Sequence, residues 1–188
     1  TPSLLGADGL AAVLDAVREH FTLAPDAEVT TEANPESTSA AFFDAIRAAG
    51  FTRVSLGMQS SSARVLAVLD RTHSPGRAVQ ALREARAAGF DHANIDLIYG
   101  TPGETDADLL NSVDAAVAAG ADHVSAYALI VEDGTALARR VRRGEGTVGD
   151  GVGLAARLGV EGAHVVGERV AFGRGGRATF WCWAIKHR

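Results

Sequence analysis

Three stretches decide the fold: Ala48-Ala49-Gly50-Phe51, Ala87-Ala88-Gly89-Phe90 and Ala118-Ala119-Gly120-Ala121. Each closes an apolar-striped helix on a glycine, and a strand pattern follows at once. The glycines stand 39 and then 31 residues apart, which is the length of one β-α unit. Strands and helices alternating through short joints imply a parallel sheet, either a barrel or an open doubly wound sheet.

Outward from these joints, apolar spacing predicts helices over residues 8–21, 37–49, 61–70 and 75–88, and another from Thr105 to Ala119. Strands are expected at 28–32, 52–56, 93–98 and 123–129. Ser37 or Thr38 is placed to cap the second helix, and Ser74-Pro75 to open the fourth. The run Gly100-Thr101-Pro102-Gly103-Glu104-Thr105 has neither the lysine nor the glycine spacing of a phosphate loop, so it reads as a turn and an N-cap. The pattern changes near Gly144. Eleven glycines fall between residues 144 and 176, and both tryptophans cluster in Thr179-Phe180-Trp181-Cys182-Trp183. The chain therefore divides into an α/β core over 1–143 and a glycine-rich, weakly specified tail over 144–188.

Composition narrows the classes. The 188 residues include 47% hydrophobic and 22% charged side chains, as in folded globular proteins. The formal charge of −5 argues against a nucleic-acid partner held through phosphates. No run of 18 apolar residues suggests a membrane span, and no secretory signal opens the sequence, so the cytoplasm is expected. Cys182 is the one cysteine, which excludes an internal disulfide and any metal or iron–sulfur site needing several thiolates from this chain. The six histidines show no zinc-type spacing; only His73, close to Arg71, is kept in view.

In both parallel architectures ligands bind at the carboxyl ends of the strands. Those ends offer Glu32, Asn34 and Pro35; then Gly57, Met58, Gln59 and Ser60; then Asp96, Tyr99 and Gly100; then Tyr127, Ala128, Glu132 and Asp133. Glu32 alone is equally read as a solvated acid, Gln59 as a backbone-bonding turn residue, and Arg71 as an exposed helix-end charge. Asp96 differs, because it interrupts the apolar run Ile95-Asp96-Leu97-Ile98 and an acid there needs a partner. A ligand carrying hydroxyls, an amine and a carboxylate would supply such partners. An ordinary barrel lyase or isomerase would use Glu32 and Asp96 as acid and base.

Six strings in order carry a resemblance. They are Thr1-Pro2-Ser3-Leu4-Leu5, Glu32-Ala33-Asn34-Pro35-Glu36, Ser55-Leu56-Gly57-Met58-Gln59-Ser60, Leu69-Asp70-Arg71-Thr72-His73-Ser74, Asn94 through Gly103, and Tyr127-Ala128-Leu129. Together they resemble the radical S-adenosylmethionine family of oxygen-independent coproporphyrinogen III oxidases and their haem-chaperone relatives, over about residues 1–145. The stretch Ala128–Thr135 is more similar to the haem-chaperone branch. The resemblance implies a partial (β/α)6 barrel with S-adenosylmethionine lying across the strand ends. It implies that Thr1 belongs to a turn holding the methionine amine and that Glu32 is an acid of the cofactor site. It implies that Gln59, Arg71 and Asp96 contact ribose and methionine groups, and that Ala128 offers a backbone contact near the adenine.

The resemblance also implies a [4Fe–4S] cluster held by three cysteines, and porphyrin or haem as a partner. Those cysteines and the first β-α unit are missing here, so the chain reads as an internal piece, incomplete at its N-terminal side and inactive in radical chemistry by itself. The abrupt change at residue 144 suggests an out-of-frame tail. A cluster-less module binding a small molecule or haem is the competing expectation.

Overall fold

Strand and helix alternate as the glycine-closed repeats require. The computed structural model describes all residues except 72, 73, 75, 132, 145–163, 167, 168, 175–177 and 186–188, and describes 164–166, 169–174 and 178–185 by their backbone alone. The order is α1 (Gly6–His20), β1 (Thr30–Ala33), α2 (Ala40–Ala49), β2 (Arg53–Gln59), α3 (Ala63–Val68), α4 (Arg77–Ala87), β3 (His92–Tyr99), α5 (Asp106–Ala118), β4 (His123–Leu129) and α6 (Ala136–Arg142). Three further strands follow: β5 (His164–Val166), β6 (Arg169–Arg174) and β7 (Ala178–Ile185). The sheet runs β1-β2-β3-β4-β7-β6-β5, parallel from β1 to β7 and antiparallel beyond. This is the α/β partial barrel expected from the sequence.

Alternation along the strands separates two faces. In β2, Val54, Leu56 and Met58 are buried, while Arg53, Ser55, Gly57 and Gln59 are half-buried on the opposite side. The buried set packs with Phe43 and Ile46 of α2, Leu82 of α4 and Ile95 of β3 in one core. Phe43 and Phe90 meet edge to face at 6.4 Å. The other face carries polar side chains and holds the site.

Each repeat is clasped to the next at the amino ends of the strands. Arg47 Nε donates to the Gly89 carbonyl (3.0 Å) and its Nη1 to Phe51 O (3.3 Å). Arg86, at the same place in its repeat, donates to Gly120 O (2.8 Å), Phe90 O (3.1 Å) and Asp91 O. Arg18 lies over Gly50, where a Cβ would strike its guanidinium, and Gly50 has φ +107°. All three glycines end helices in the left-handed conformation, and Gly50 alone also leaves room for an arginine side chain.

Several expectations are corrected. Helix α2 begins at Ala40 under Ser39, because Pro35–Ser37 forms its own short turn capped by the Asn34 side chain. Helix α4 begins at Arg77 after Gly76 in the left-handed conformation, so Ser74 does not cap it. β2 runs on to Gln59 through a bulge. Helix α6 was not expected: its arginine-rich sequence lacks an apolar stripe, and Thr135 caps it. The tail expected to be irregular contributes β5–β7, since β-forming residues such as Val165, Val170 and Phe172 stand between its glycines and Phe180, Trp181 and Ile185 follow the last of them. Capping of α5 by Thr105 is as expected, and the Thr105 N–H donates to the Asp108 carboxylate to complete a capping box.

Candidate functional site

The polar face of the sheet opens, at the carboxyl ends of β1–β4, into a cleft of about 160 Å³. Thr1, Glu32, Ala33, Asn34, Ser55, Gly57, Gln59, Arg71, Asp96 and Tyr127 line it. Five of the six residues named from the sequence therefore share one cavity. The sixth, Ala128, lies on β4 next to Tyr127 but turns its methyl toward the helix-side core. Only its backbone is available to a ligand. His73 and Glu132 lie outside the described residues.

Local structure explains how each residue arrives. Thr1 precedes a short turn, Pro2–Leu5, that is tied to the end of β1. Ser3 Oγ accepts from Asn34 N at 3.0 Å and meets Ser37 Oγ at 2.7 Å. Gln59 sits in the left-handed region (φ 65°), where the bulge re-aims the end of β2. Its amide folds back over Gly57, where a Cβ would come within 2.7 Å of Nε2. Arg71 follows α3 after Asp70, itself at φ 54°, and the Arg71 N–H donates to Leu66 O. The next turn is anchored by Ser74 N–H on Glu36 Oε1 at 2.6 Å.

Asp96 is the centre of the site's electrostatics. Ser55 Oγ donates to its Oδ2 at 2.8 Å, and Asn94 Nδ2 donates to its Oδ1 at 2.7 Å. Burial pushes its carboxyl up to about 6; the bond from Ser55 opposes this, and the nearby Glu32 carboxylate adds to it. Tyr127 is pushed up to about 12, first by burial and then by the Asp96 charge. Two carboxylates and one arginine thus face a single cleft, and Arg71 pairs with no acid among the described residues. The arrangement can accept hydrogen bonds from hydroxyl and ammonium groups and offer a cation to an anionic one.

Sequence reading missed Ser55, Asn94 and Ser125. The signal was there, since Ser55 and Asn94 lie two residues before Gly57 and Asp96, already singled out, and so share their face. Met58 and Tyr99, also named as strand-end groups, turn into the helix-side core, while Ser60 lies 3.4 Å from Ser112 of α5.

The chain spans little more than a third of the length of the curated relatives it matches. A family model described as the radical SAM superfamily matches residues 2–116. The haem chaperone HemW of Mycobacterium tuberculosis is 74% identical over 145 residues, covering 77% of this chain and 37% of that protein. The Escherichia coli haem chaperone HemW is 37% identical over 140 residues, 74% of this chain and 37% of that one. The mitochondrial radical S-adenosyl methionine domain-containing protein 1 of Bos taurus is 39% identical over 168 residues, 89% of this chain and 38% of that one. Among solved structures, the coproporphyrinogen III oxidase HemN of Escherichia coli superposes with a TM-score of 0.64 at 20% identity, over 94% of this chain and 53% of that one.

Proposed function

The chain belongs to the radical SAM superfamily, and on that premise we propose that it forms the S-adenosylmethionine-holding part of a haem chaperone. The observation carrying the cofactor reading is the convergence of Thr1, Glu32, Gln59, Arg71 and Asp96 on one cleft at the strand ends. The residues fit the ligand's chemistry. Glu32 and Asp96 accept from ribose hydroxyls and the ammonium, the Gln59 amide over Gly57 both accepts and donates, and Arg71 faces a carboxylate. Haem as cargo rests on the relatives named haem chaperones.

The family also implies a [4Fe–4S] cluster, and here the residues do not fit. Such a cluster needs several thiolates, Cys182 is the one cysteine, and no group of three metal-ligating side chains occurs among the described residues. We therefore assign this chain the binding and orienting of S-adenosylmethionine, not its cleavage. No described helix is long and apolar enough to cross a membrane.

Calorimetric titration of the chain with S-adenosylmethionine tests the reading. Saturable one-to-one binding, lost in Asp96→Ala and Glu32→Ala, is expected. Binding that persists in both variants would place the ligand elsewhere and overturn the assignment. Haem is tested separately by following its Soret band on addition to the protein. A saturable shift supports haem as cargo, and an unshifted band contradicts it.

A further inference from the structure

We propose that Asn94 is the positioning residue of the cleft, holding the Asp96 carboxylate so that its outer lone pairs point at the ligand. This rests on the reading of the cleft as a ligand site and extends it to a residue behind that site.

Asn94 is 2% exposed and lies on β3 opposite Ser55 of β2, while Asp96, two residues on, lies opposite Ser125 of β4. Its amide nitrogen is 2.6 Å from Ser55 Oγ, 2.7 Å from Asp96 Oδ1 and 3.1 Å from Ser125 Oγ. An amide has two hydrogens for these three oxygens. Ser125 also lies 3.3 Å from Asn94 Oδ1 as a donor, an arrangement in which its Oγ needs no amide hydrogen. The two amide hydrogens then go to Ser55 and Asp96, and Ser55 passes its own hydrogen to Asp96 Oδ2.

Every donor in this chain leads to the carboxylate, from Ser125 through Asn94 and Ser55. Both Asp96 oxygens are engaged from behind, so the group cannot rotate, and each keeps lone pairs for the cleft. The pattern also suits an ionised Asp96, since a protonated one would turn a hydrogen against these donors. The other charged or titratable groups toward Asp96 and its network are Glu32 from β1, Arg71 after α3, and His123 and Tyr127 from β4. None of them replaces the amide.

The test uses Asn94→Leu, which keeps the volume and removes the amide, with Ser55→Ala as the second variant should the first not fold. Carboxyl NMR of the ligand-free chain reads the titration of Asp96, which lies near 6 in the wild type. The midpoint is expected to move up by about one unit in Asn94→Leu and at least as far in Ser55→Ala, which loses the stronger of the two bonds to Asp96. Affinity for S-adenosylmethionine at pH 7 is expected to fall about twofold, as the ionised fraction of Asp96 drops from about nine-tenths to about half, and to recover toward the wild-type value at pH 9. An unchanged midpoint would overturn the inference whatever the affinity does. A moved midpoint in a wild-type chain that binds no S-adenosylmethionine would uphold the network and overturn only the ligand. A merely structural Asn94 would lower the melting temperature and leave the midpoint in place.

Discussion

The two ends of the same four strands treat charge in opposite ways. At the amino ends, acids are paired and their carboxyls are held low. Asp122 lies 2.7 Å from His92 Nδ1 and 3.5 Å from Arg86, accepts the Ala93 N–H, and titrates below the usual carboxylate range. Glu28 accepts from Thr30 and faces Arg53, with the same result. At the carboxyl ends, Asp96 and Glu104 are pushed up, both first by burial. A fold that pairs its acids with cations at one end, and at the other buries Asp96 in the cleft among neutral donors, is stabilised at the first and prepared for a ligand at the second.

The largest effect that would sharpen this contrast is in pH. Below the ordinary Asp range both native and unfolded chains hold the Asp96 proton, and it contributes no difference. As pH rises from about 4 to about 6, the unfolded chain releases the proton first, so native stability falls, by on the order of 3 kcal/mol, and then levels. Glu28 and Asp122, held low, act with the opposite sign: their contribution is present at neutral pH and lost as pH falls through their lowered titration range. Denaturant titrations of the wild type and Asp96→Asn across pH isolate the Asp96 contribution. Parallel curves would break the contrast.

Next in size is Arg86→Ala, which strips hydrogen bonds from the carbonyls of Gly120, Phe90 and Asp91. It is expected to cost about 2 kcal/mol while leaving ligand affinity unchanged, by urea melts and calorimetry together. A loss of affinity with intact stability would reverse the roles of the two ends. Gly57→Ala does the converse. Its Cβ displaces the Gln59 amide, and affinity should fall about tenfold with little change in melting. Smallest is Thr105→Ala, which removes the cap of α5 and should cost about 1 kcal/mol, read as a lowered denaturation midpoint.

Much of this was legible in sequence because it is local. The Ala-Ala-Gly joints and the Thr105 cap are short patterns with one physical meaning, and the strand ends follow from parallel topology. Asp96 stood out because an acid inside an apolar run needs an explanation. What escaped was cross-strand. Asn94, Ser55 and Ser125 are unremarkable polar residues until the register sets them side by side. The arginine clasps escaped likewise, because Arg47 and Arg86 act on carbonyls 42 and 34 residues away. Gln59 was singled out, yet its left-handed backbone was not foreseen, since only the bulge imposes it.

Hydrogen exchange with and without S-adenosylmethionine tests the division between the two ends most directly. Slowed exchange at residues 57–60 and 96–100, with no change at 50–53, 89–92 and 120–123, is the predicted result. Protection at the arginine-clasped ends, or none at the carboxyl ends, would contradict it.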